Sequence, residues 1–289
     1  MFEVYTINTL ELPALAPYRT MRLQHEHRRE HLFVAEGEKV VRRLLASRLT
    51  LLSLLMPPAW VADLASILHA RPEHLPVYVA EKPVLESLTG FSMYQGLLAV
   101  ARIPAPVSLP GAMAASPAPR LFAAVDGLTN AENLGALVRN CVAFGVQALV
   151  VGETCAHPYL RRAVRASMGG IFQLPLVEPA TLAEALGELR AHGVHCVAAH
   201  PHTDQRTLAQ AQLAGDCCLV FGSEGYGLAP AVRAACDEAV AIPMPPEVDS
   251  LNVGSAAAVF LYEANRQRGR MGHPNPPAAD ASRPGAPAA

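Results

Sequence analysis

The chain has 289 residues, enough for one large domain or two of ordinary size. Hydrophobic residues make up 51% and charged residues only 17%, which excludes a disordered chain. The formal charge is −2, from 23 Lys+Arg against 25 Asp+Glu, so bulk charge gives no warrant for nucleic-acid binding and any basic footprint must be local. The most apolar stretch, residues 49–68, is broken by Pro57, Pro58 and Asp63 and does not read as a membrane span. The start, MFEVYTINTLELP, carries Glu3 and Glu11 without a basic-then-apolar layout, so it does not read as a secretory signal. Cys141, Cys155, Cys196, Cys217, Cys218 and Cys236 all fall in the second half, mostly inside apolar runs and never as C-x-x-C. They read as buried, reduced thiols of a cytoplasmic protein. The pairs His25/His27, His192/His195 and His200/His202 lack further ligands at zinc spacing, so no metal is expected.

In chain order, residues 1–103 open with a basic stretch. From Arg19 to Arg48 there are eight Lys/Arg against four Glu, with His25, His27 and His31 interleaved. Such a stretch fits either a solvated helix face with internal ion pairs or an RNA grip. Apolar runs (LTLLSLLM, HLPVYVA, GLLAVAR) then alternate with helical segments (VVRRLLASR, WVADLASILHA), the pattern of a small α/β domain. Residues 104–119, PAPVSLPGAMAASPAP, read as an extended linker. Residues 269–289 read as a disordered tail.

Residues 120–268 form the second domain. Six strand-like runs are LFAAV (121–125), ALVV (148–151), FQLPL (172–176), HCVAA (195–199), CCLVF (217–221) and AVAI (239–242). Helices are predicted over 133–144, with Thr129 and Asn130 as capping candidates, and over 159–167, 182–192 and 252–268. Strands that are continuously apolar and alternate with helices belong to a parallel sheet covered on both faces. Ligands of such sheets sit beyond the carboxyl ends of the strands. Chemistry is therefore expected in the loops after residues 125, 221 and 242.

The first loop leads into a helix whose N-terminus, with Asn133 and Gly135, favours an anion. Gly135 and Arg139 share a helix face, where the glycine permits close approach and the arginine supplies a charged fork. A capped helix with a surface Arg is the alternative. The second loop, GSEGYGL (222–228), has three glycines and carries Glu224, which alone could be a solvated turn carboxylate. It is not G-x-G-x-x-G, and no P-loop occurs, which disfavours a nicotinamide-binding domain and an NTPase. The third loop, PMPPEVDSLNVG (243–254), is stiffened by Pro243, Pro245 and Pro246. It places Ser250 and Asn252 before a helix, where alone they would be an N-cap.

Taken together, NLGALVRNCVAFG, LVFGSEGYGL and IPMPPEVDSLNVGSAAAVFLYEANRQ resemble the three motifs of the SpoU (TrmH-type) RNA ribose 2′-O-methyltransferases of the SPOUT class, in order and over residues 120–268. RAVRASMGGIFQLP (162–175) is a further family-like patch. RREHLFVAEGEKVVRRLL and YQGLLAVAR resemble, more loosely, the family's L30e-like substrate-binding domain. The resemblance implies an α/β fold with a C-terminal trefoil knot, a homodimer and S-adenosylmethionine (AdoMet) as methyl donor. It implies cofactor contacts at Gly222, Gly227, Ile242, Met244 and Leu251, and catalytic positions at Arg139, Asn133, Glu224, Ser250 and Asn252. The implied substrate is a ribose 2′-hydroxyl of rRNA or tRNA, with rRNA favoured by the separate N-terminal domain. A catalytically silent RNA-binding or ribosome-assembly protein on the same scaffold is the alternative.

Methyl transfer is an in-line displacement, so oxygen, methyl and sulfur must be held in a near-attack line. The hydroxyl must also lose its proton. Arg139 is the only Lys or Arg of the three loops (126–140, 222–228 and 243–254), and a guanidinium is a permanent cation. It can stabilise the developing alkoxide and grip a phosphate, or it can take part in a proton relay through a substrate phosphate. Arg22, Arg28 and Arg29, with Arg161, Arg162 and Arg165, are the local basic clusters available to RNA.

Overall fold

The computed structural model describes residues 1–21, 23–88, 96–203 and 206–269. Arg22 and the tail from residue 270 lie outside the described residues.

The N-terminal lobe is a five-stranded sheet in the order β1-β4-β3-β5-β2. Its strands are β1 (Phe2–Thr6), β2 (Leu32–Glu36), β3 (Leu51–Met56), β4 (Leu75–Val79) and β5 (Leu98–Arg102). β1, β4 and β3 run parallel, and β5 lies antiparallel between β3 and β2. The helices are α1 (Ala16–Arg19), α2 (Gln24–Arg29), α3 (Glu38–Leu45), α4 (Ala59–His69) and α5 (Lys82–Glu86). Val41 and Leu44 of α3 and Leu64 and Leu68 of α4 fill one face of the sheet, while Leu15, Tyr18 and Leu85 fill the other. Tyr18 is fully buried, and its hydroxyl shares a 2.8 Å hydrogen bond with that of Ser53.

Residues 104–119 are not extended throughout, as their composition suggested. Leu109–Ala115 forms helix α6, with the Ser108 hydroxyl accepting from Gly111 N at 3.2 Å. Pro110 occupies the first turn, where its missing N–H removes no helical bond. Leu109, Ala112 and Met113 are buried against the second sheet, so tertiary packing overrides a composition that reads as linker.

That second sheet has seven strands in the order β10-β12-β9-β11-β6-β7-β8, all parallel. They are β6 (Leu121–Val125), β7 (Ala148–Val151), β8 (Leu176–Val177), β9 (His195–Ala199), β10 (Arg206–Thr207), β11 (Cys217–Phe221) and β12 (Glu238–Ala241). Between them run α7 (Ala131–Ala143), α8 (Arg161–Ala166), α9 (Leu182–Ala191) and α10 (Pro230–Ala234), and α11 (Val253–Gln267) closes the described chain. Side chains of β6 alternate between the faces. Leu121, Ala123 and Val125 pack with Leu134, Leu137 and Val138 of α7, and Phe122 and Ala124 pack with Leu186 and Leu189 of α9. The region read as a strand over 172–176 differs. Gly170–Gln173 is a 3₁₀ turn, and pairing starts only at Leu176, because Pro175 has no N–H to donate.

The two lobes are joined by side chains. Phe33 packs on Tyr159 and Phe172, with ring centroids 4.9 and 5.6 Å apart. Arg161 pairs with Glu36, and Arg43 Nη1 donates to the Met168 carbonyl at 2.6 Å. Among the described residues no helix is long and apolar enough to cross a membrane, and no cluster of three or more His, Cys, Asp or Glu could hold a metal. All six cysteines are free thiols. Burial pushes Cys217 up to about 11 and Cys236 up to about 12, so neither thiol ionises near neutrality.

Candidate active site

The strand register brings the chemical loops together. Phe221, at the end of β11, is level with Val125 of β6 on one side and Ala199 of β9 on the other. The chain therefore leaves these strands at one edge of the sheet. Asp126 is buried there, and its carboxylate accepts from Ala229 N at 2.7 Å, tying the far end of the glycine-rich loop to β6.

Within that loop, Ser223 and Gly227 exchange backbone hydrogen bonds of 3.0 and 2.9 Å. Gly227 has φ +65°, a conformation that L side chains rarely adopt. Gly222 lies so close to the returning strand that a Cβ would sit 2.3 Å from the Gly227 carbonyl carbon. The loop forms one wall of a cavity of about 490 Å³, and residues 242–251 form another. Gly222, Gly227, Ile242, Met244 and Leu251 all line this cavity, as do Glu224 and Ser250. A volume of this size suits a small-molecule ligand.

Beside it stands a closed ring of three side chains. Asn133 is in the first turn of α7, whose N-cap Asn130 accepts from Glu132 N at 2.9 Å and Asn133 N at 3.1 Å. Asn133 Nδ2 donates to Glu224 Oε2 at 2.6 Å. Asn252 Nδ2 donates to Glu224 Oε1 at 2.6 Å and to Asn133 Oδ1 at 3.1 Å. Asn252 Oδ1 caps α11 by accepting from Gly254 N at 2.9 Å. Both oxygens of Glu224 are thus engaged, and every polar atom of the Asn252 amide has a fixed role. Three residues 119 positions apart at the extremes are locked into one acid–amide cluster.

Arg139 is not part of that cluster. It is exposed, lines no wall of the cavity, and has no hydrogen bond or ion pair among the described residues. Six residues of α-helix turn about 240°, so Arg139 faces away from the direction of Asn133. Glu224 does not pair with Arg139, because its two carboxylate oxygens accept from the two asparagines. Gly135 admits a neighbouring helix, not a ligand: its Cβ would lie 2.5 Å from the Ala163 carbonyl oxygen of α8.

The basic candidates divide. Arg28 and Arg29 are exposed and line a groove of about 930 Å³ between the lobes. His157 and Glu178 face them across it. The His157–Glu178 pair, at 3.0 Å, holds the Glu178 carboxyl below the usual range, and Arg28 adds to the effect. Arg162 is exposed, and Arg165 is 67% exposed with Nη1 4.0 Å from Glu36. Arg161 is spent on Glu36 and holds the lobes together. The smaller cavity is the one lined by Gly222, Glu224, Gly227, Ile242, Met244, Ser250 and Leu251, and it is the candidate site of chemistry.

Sequence reasoning missed the third wall. His200 and His202 follow β9 and line the cavity, with rings 6.3 Å apart and edge-on. Burial, with Arg233 and His202 nearby, lowers the His200 pKa. The rule that sites lie beyond strand ends applies to the loop after residue 199 as much as to the others, and that was the available signal.

Residues 120–262 match the SpoU rRNA methylase family. An uncharacterised tRNA/rRNA methyltransferase of Mycobacterium bovis is 37% identical over 245 residues, 83% of each chain. This chain belongs to the SpoU rRNA methylase family. Another SpoU relative is the 23S rRNA (guanosine-2′-O-)-methyltransferase RlmB of Yersinia pestis, 34% identical over 198 residues, which are 68% of this chain and 80% of that one. Among solved SpoU structures, the methyltransferase AviRb of Streptomyces viridochromogenes superposes with a TM-score of 0.75 at 26% identity, covering 88% of this chain and 96% of that chain. AviRb has also been solved in complex with the cofactor AdoMet.

Proposed function

We propose that this protein transfers a methyl group from AdoMet to a ribose 2′-hydroxyl of ribosomal RNA, with a guanosine of 23S rRNA as the first target to test. The observation that carries the reading is the closed Asn133–Glu224–Asn252 ring beside a cavity walled by Gly222, Gly227, Ile242 and Leu251. The cavity fits the cofactor. Ile242, Met244 and Leu251 offer apolar surface that would hold a purine, and Glu224 would supply negative charge to the lining. When bound, AdoMet supplies an electrophilic methyl group.

The chain's own residues do the rest. The ring fixes Asn133, whose second Nδ2 hydrogen is left to meet the acceptor ribose, while Asn252 holds Asn133 and Glu224 in place. Pro243, Pro245 and Pro246 restrict the wall that carries Ser250 and Leu251, so little order remains to be gained on binding. Arg139 stabilises the developing alkoxide and the adjoining phosphate. Its separation from the ring within one chain supports a homodimer in which a second copy completes each site. Family membership likewise supports an L30e-like RNA-binding domain over 1–103, a methyltransferase domain over 120–268 with a trefoil knot formed by the loops after β11 and β12, and action in the cytoplasm. Arg28 and Arg29 grip RNA phosphates from the first domain.

The test is mass-spectrometric nucleoside mapping of rRNA and tRNA from cells with and without the gene. Loss of one 2′-O-methylated nucleotide on deletion is expected. An unchanged map would overturn the reading. Light scattering tests the dimer, and a monomer of 30.7 kDa refutes it.

A further inference from the structure

Tyr226 is 97% exposed, the highest value among the large apolar side chains of the described residues. Yet its backbone is pinned. The Ser223–Gly227 bridge closes the hairpin beneath it, and Tyr226 N donates to Ser223 Oγ at 3.2 Å. Gly225 and Gly227 flank it, so no neighbouring side chain shields the ring. The ring has no aromatic or hydrogen-bonding partner among the described residues. A large aromatic held in water on an ordered loop contributes nothing to folding, because apolar burial is the source of its stabilising effect. The side chain nonetheless lines the cavity mouth, two residues from the Glu224 carboxylate that closes the ring with Asn133 and Asn252.

An RNA base turned out of its stack presents a π-face to an aromatic ring, and proteins recognise single-stranded RNA largely in this way. In a single-stranded loop or bulge the base is already free of its stack, and an exposed aromatic ring offers it a new stacking partner. We propose that Tyr226 is the stacking platform for the base of the acceptor nucleotide, holding it so that the attached ribose meets the Asn133–Glu224–Asn252 ring. This rests on the methyltransferase reading above. Tyr226 acts here as a positioning and substrate-binding residue. Because every base has a π-face, the platform fixes the nucleotide's place and leaves its identity to other contacts.

The experiment uses the full chain, AdoMet and rRNA purified from cells lacking the gene. Wild type is compared with Tyr226→Ala, Tyr226→Leu and Tyr226→Phe. Base–aromatic stacking predicts a loss of about tenfold to a hundredfold in kcat/KM for RNA in Tyr226→Ala, carried mainly by KM. Tyr226→Leu falls nearly as far, and Tyr226→Phe stays within about twofold of wild type, because the ring and not the hydroxyl is used. AdoMet affinity by calorimetry and the oligomeric state by light scattering stay unchanged in all three. Wild-type kcat/KM in Tyr226→Ala overturns the proposal, as does equal impairment of Tyr226→Phe. Loss of AdoMet affinity would reassign the ring to the cofactor wall, and loss of the oligomer would reassign it to an interface between copies; both overturn it. No methyl transfer by the wild type overturns the methyltransferase reading itself, a result distinct from transfer that ignores Tyr226.

Discussion

Gly222→Ala should disable cofactor binding without unfolding the protein. The new Cβ would lie 2.3 Å from Gly227 C, 2.4 Å from Gly227 O and 2.6 Å from Leu228 N. All three are backbone atoms, so no side-chain rotation relieves the overlap. The hairpin must open, and the two Ser223–Gly227 hydrogen bonds, 3.0 and 2.9 Å, are broken. At about 1 kcal/mol net per bond and about 1–3 kcal/mol for overpacking, the closed loop is disfavoured by about 3–5 kcal/mol. At about 1.4 kcal/mol per tenfold, AdoMet affinity falls by at least about a hundredfold. The control is Gly225→Ala in the same loop. A Cβ there meets nothing within 4 Å and the φ is not in the left-handed region, so affinity should stay within about twofold. Calorimetric titration with AdoMet, alongside circular dichroism to verify folding, reads both variants. A Gly222→Ala protein that binds AdoMet like wild type, or a Gly225→Ala protein equally impaired, refutes the steric reasoning.

Four further outcomes follow from the same geometry. Arg139→Ala should abolish detectable methyl transfer while AdoMet affinity stays within about twofold; transfer at the wild-type rate removes Arg139 from the chemistry. Glu224→Gln places an amide donor where two asparagine donors converge, so kcat should fall about tenfold to a hundredfold with an unchanged melting temperature, whereas Asn252→Ala should also lose an N-cap, about 0.5–2 kcal/mol of stability seen in urea unfolding. Arg28→Glu with Arg29→Glu should weaken RNA binding and flatten its dependence on log salt by roughly 0.7 for each phosphate no longer neutralised; an unchanged slope returns both to ordinary surface. Burial alone would raise the Asp216 carboxyl, but the Arg120 N–H and guanidinium hold it below the ordinary range, so its stabilising effect is full above that range and fades as pH falls through the depressed value. The melting-temperature gap between wild type and Asp216→Asn should therefore be widest near neutrality and shrink on acidification; a pH-independent gap contradicts the pairing.

The parallel sheet was legible because its strands are buried on both faces and so read as unbroken apolar runs. LFAAV, CCLVF and HCVAA announce themselves this way. The three motif loops were legible for a related reason, since sites lie beyond strand ends. What escaped depends on partners distant in sequence. α6 looks like linker because Pro110, Gly111 and Ser116 are poor helix residues, and only the burial of Leu109 and Met113 on the second sheet makes it a helix. β10 is a two-residue edge strand with too little pattern to see. Arg161 reads as an RNA ligand until Glu36, 125 residues away, claims it. The acid–amide ring was visible as three separate polar residues, but not as a ring, because its hydrogen bonds exist only once α7 and α11 are packed side by side. Asn140 Nδ2 helps set that packing by donating to the Gly254 carbonyl at 2.6 Å.

Every residue that walls the cavity lies between positions 199 and 260. β6, β7, β8 and the whole N-terminal lobe contribute none of it. A molecule that fills the cavity therefore acts as a fastener for the last third of the chain. It adds protection from exchange and proteolysis to the glycine-rich loop, β12 and α11, while the first lobe keeps the opening rates it has alone. During synthesis the order is equally lopsided. Arg28 and Arg29 are synthesised well before any wall of the ligand chamber, which begins at Ala199.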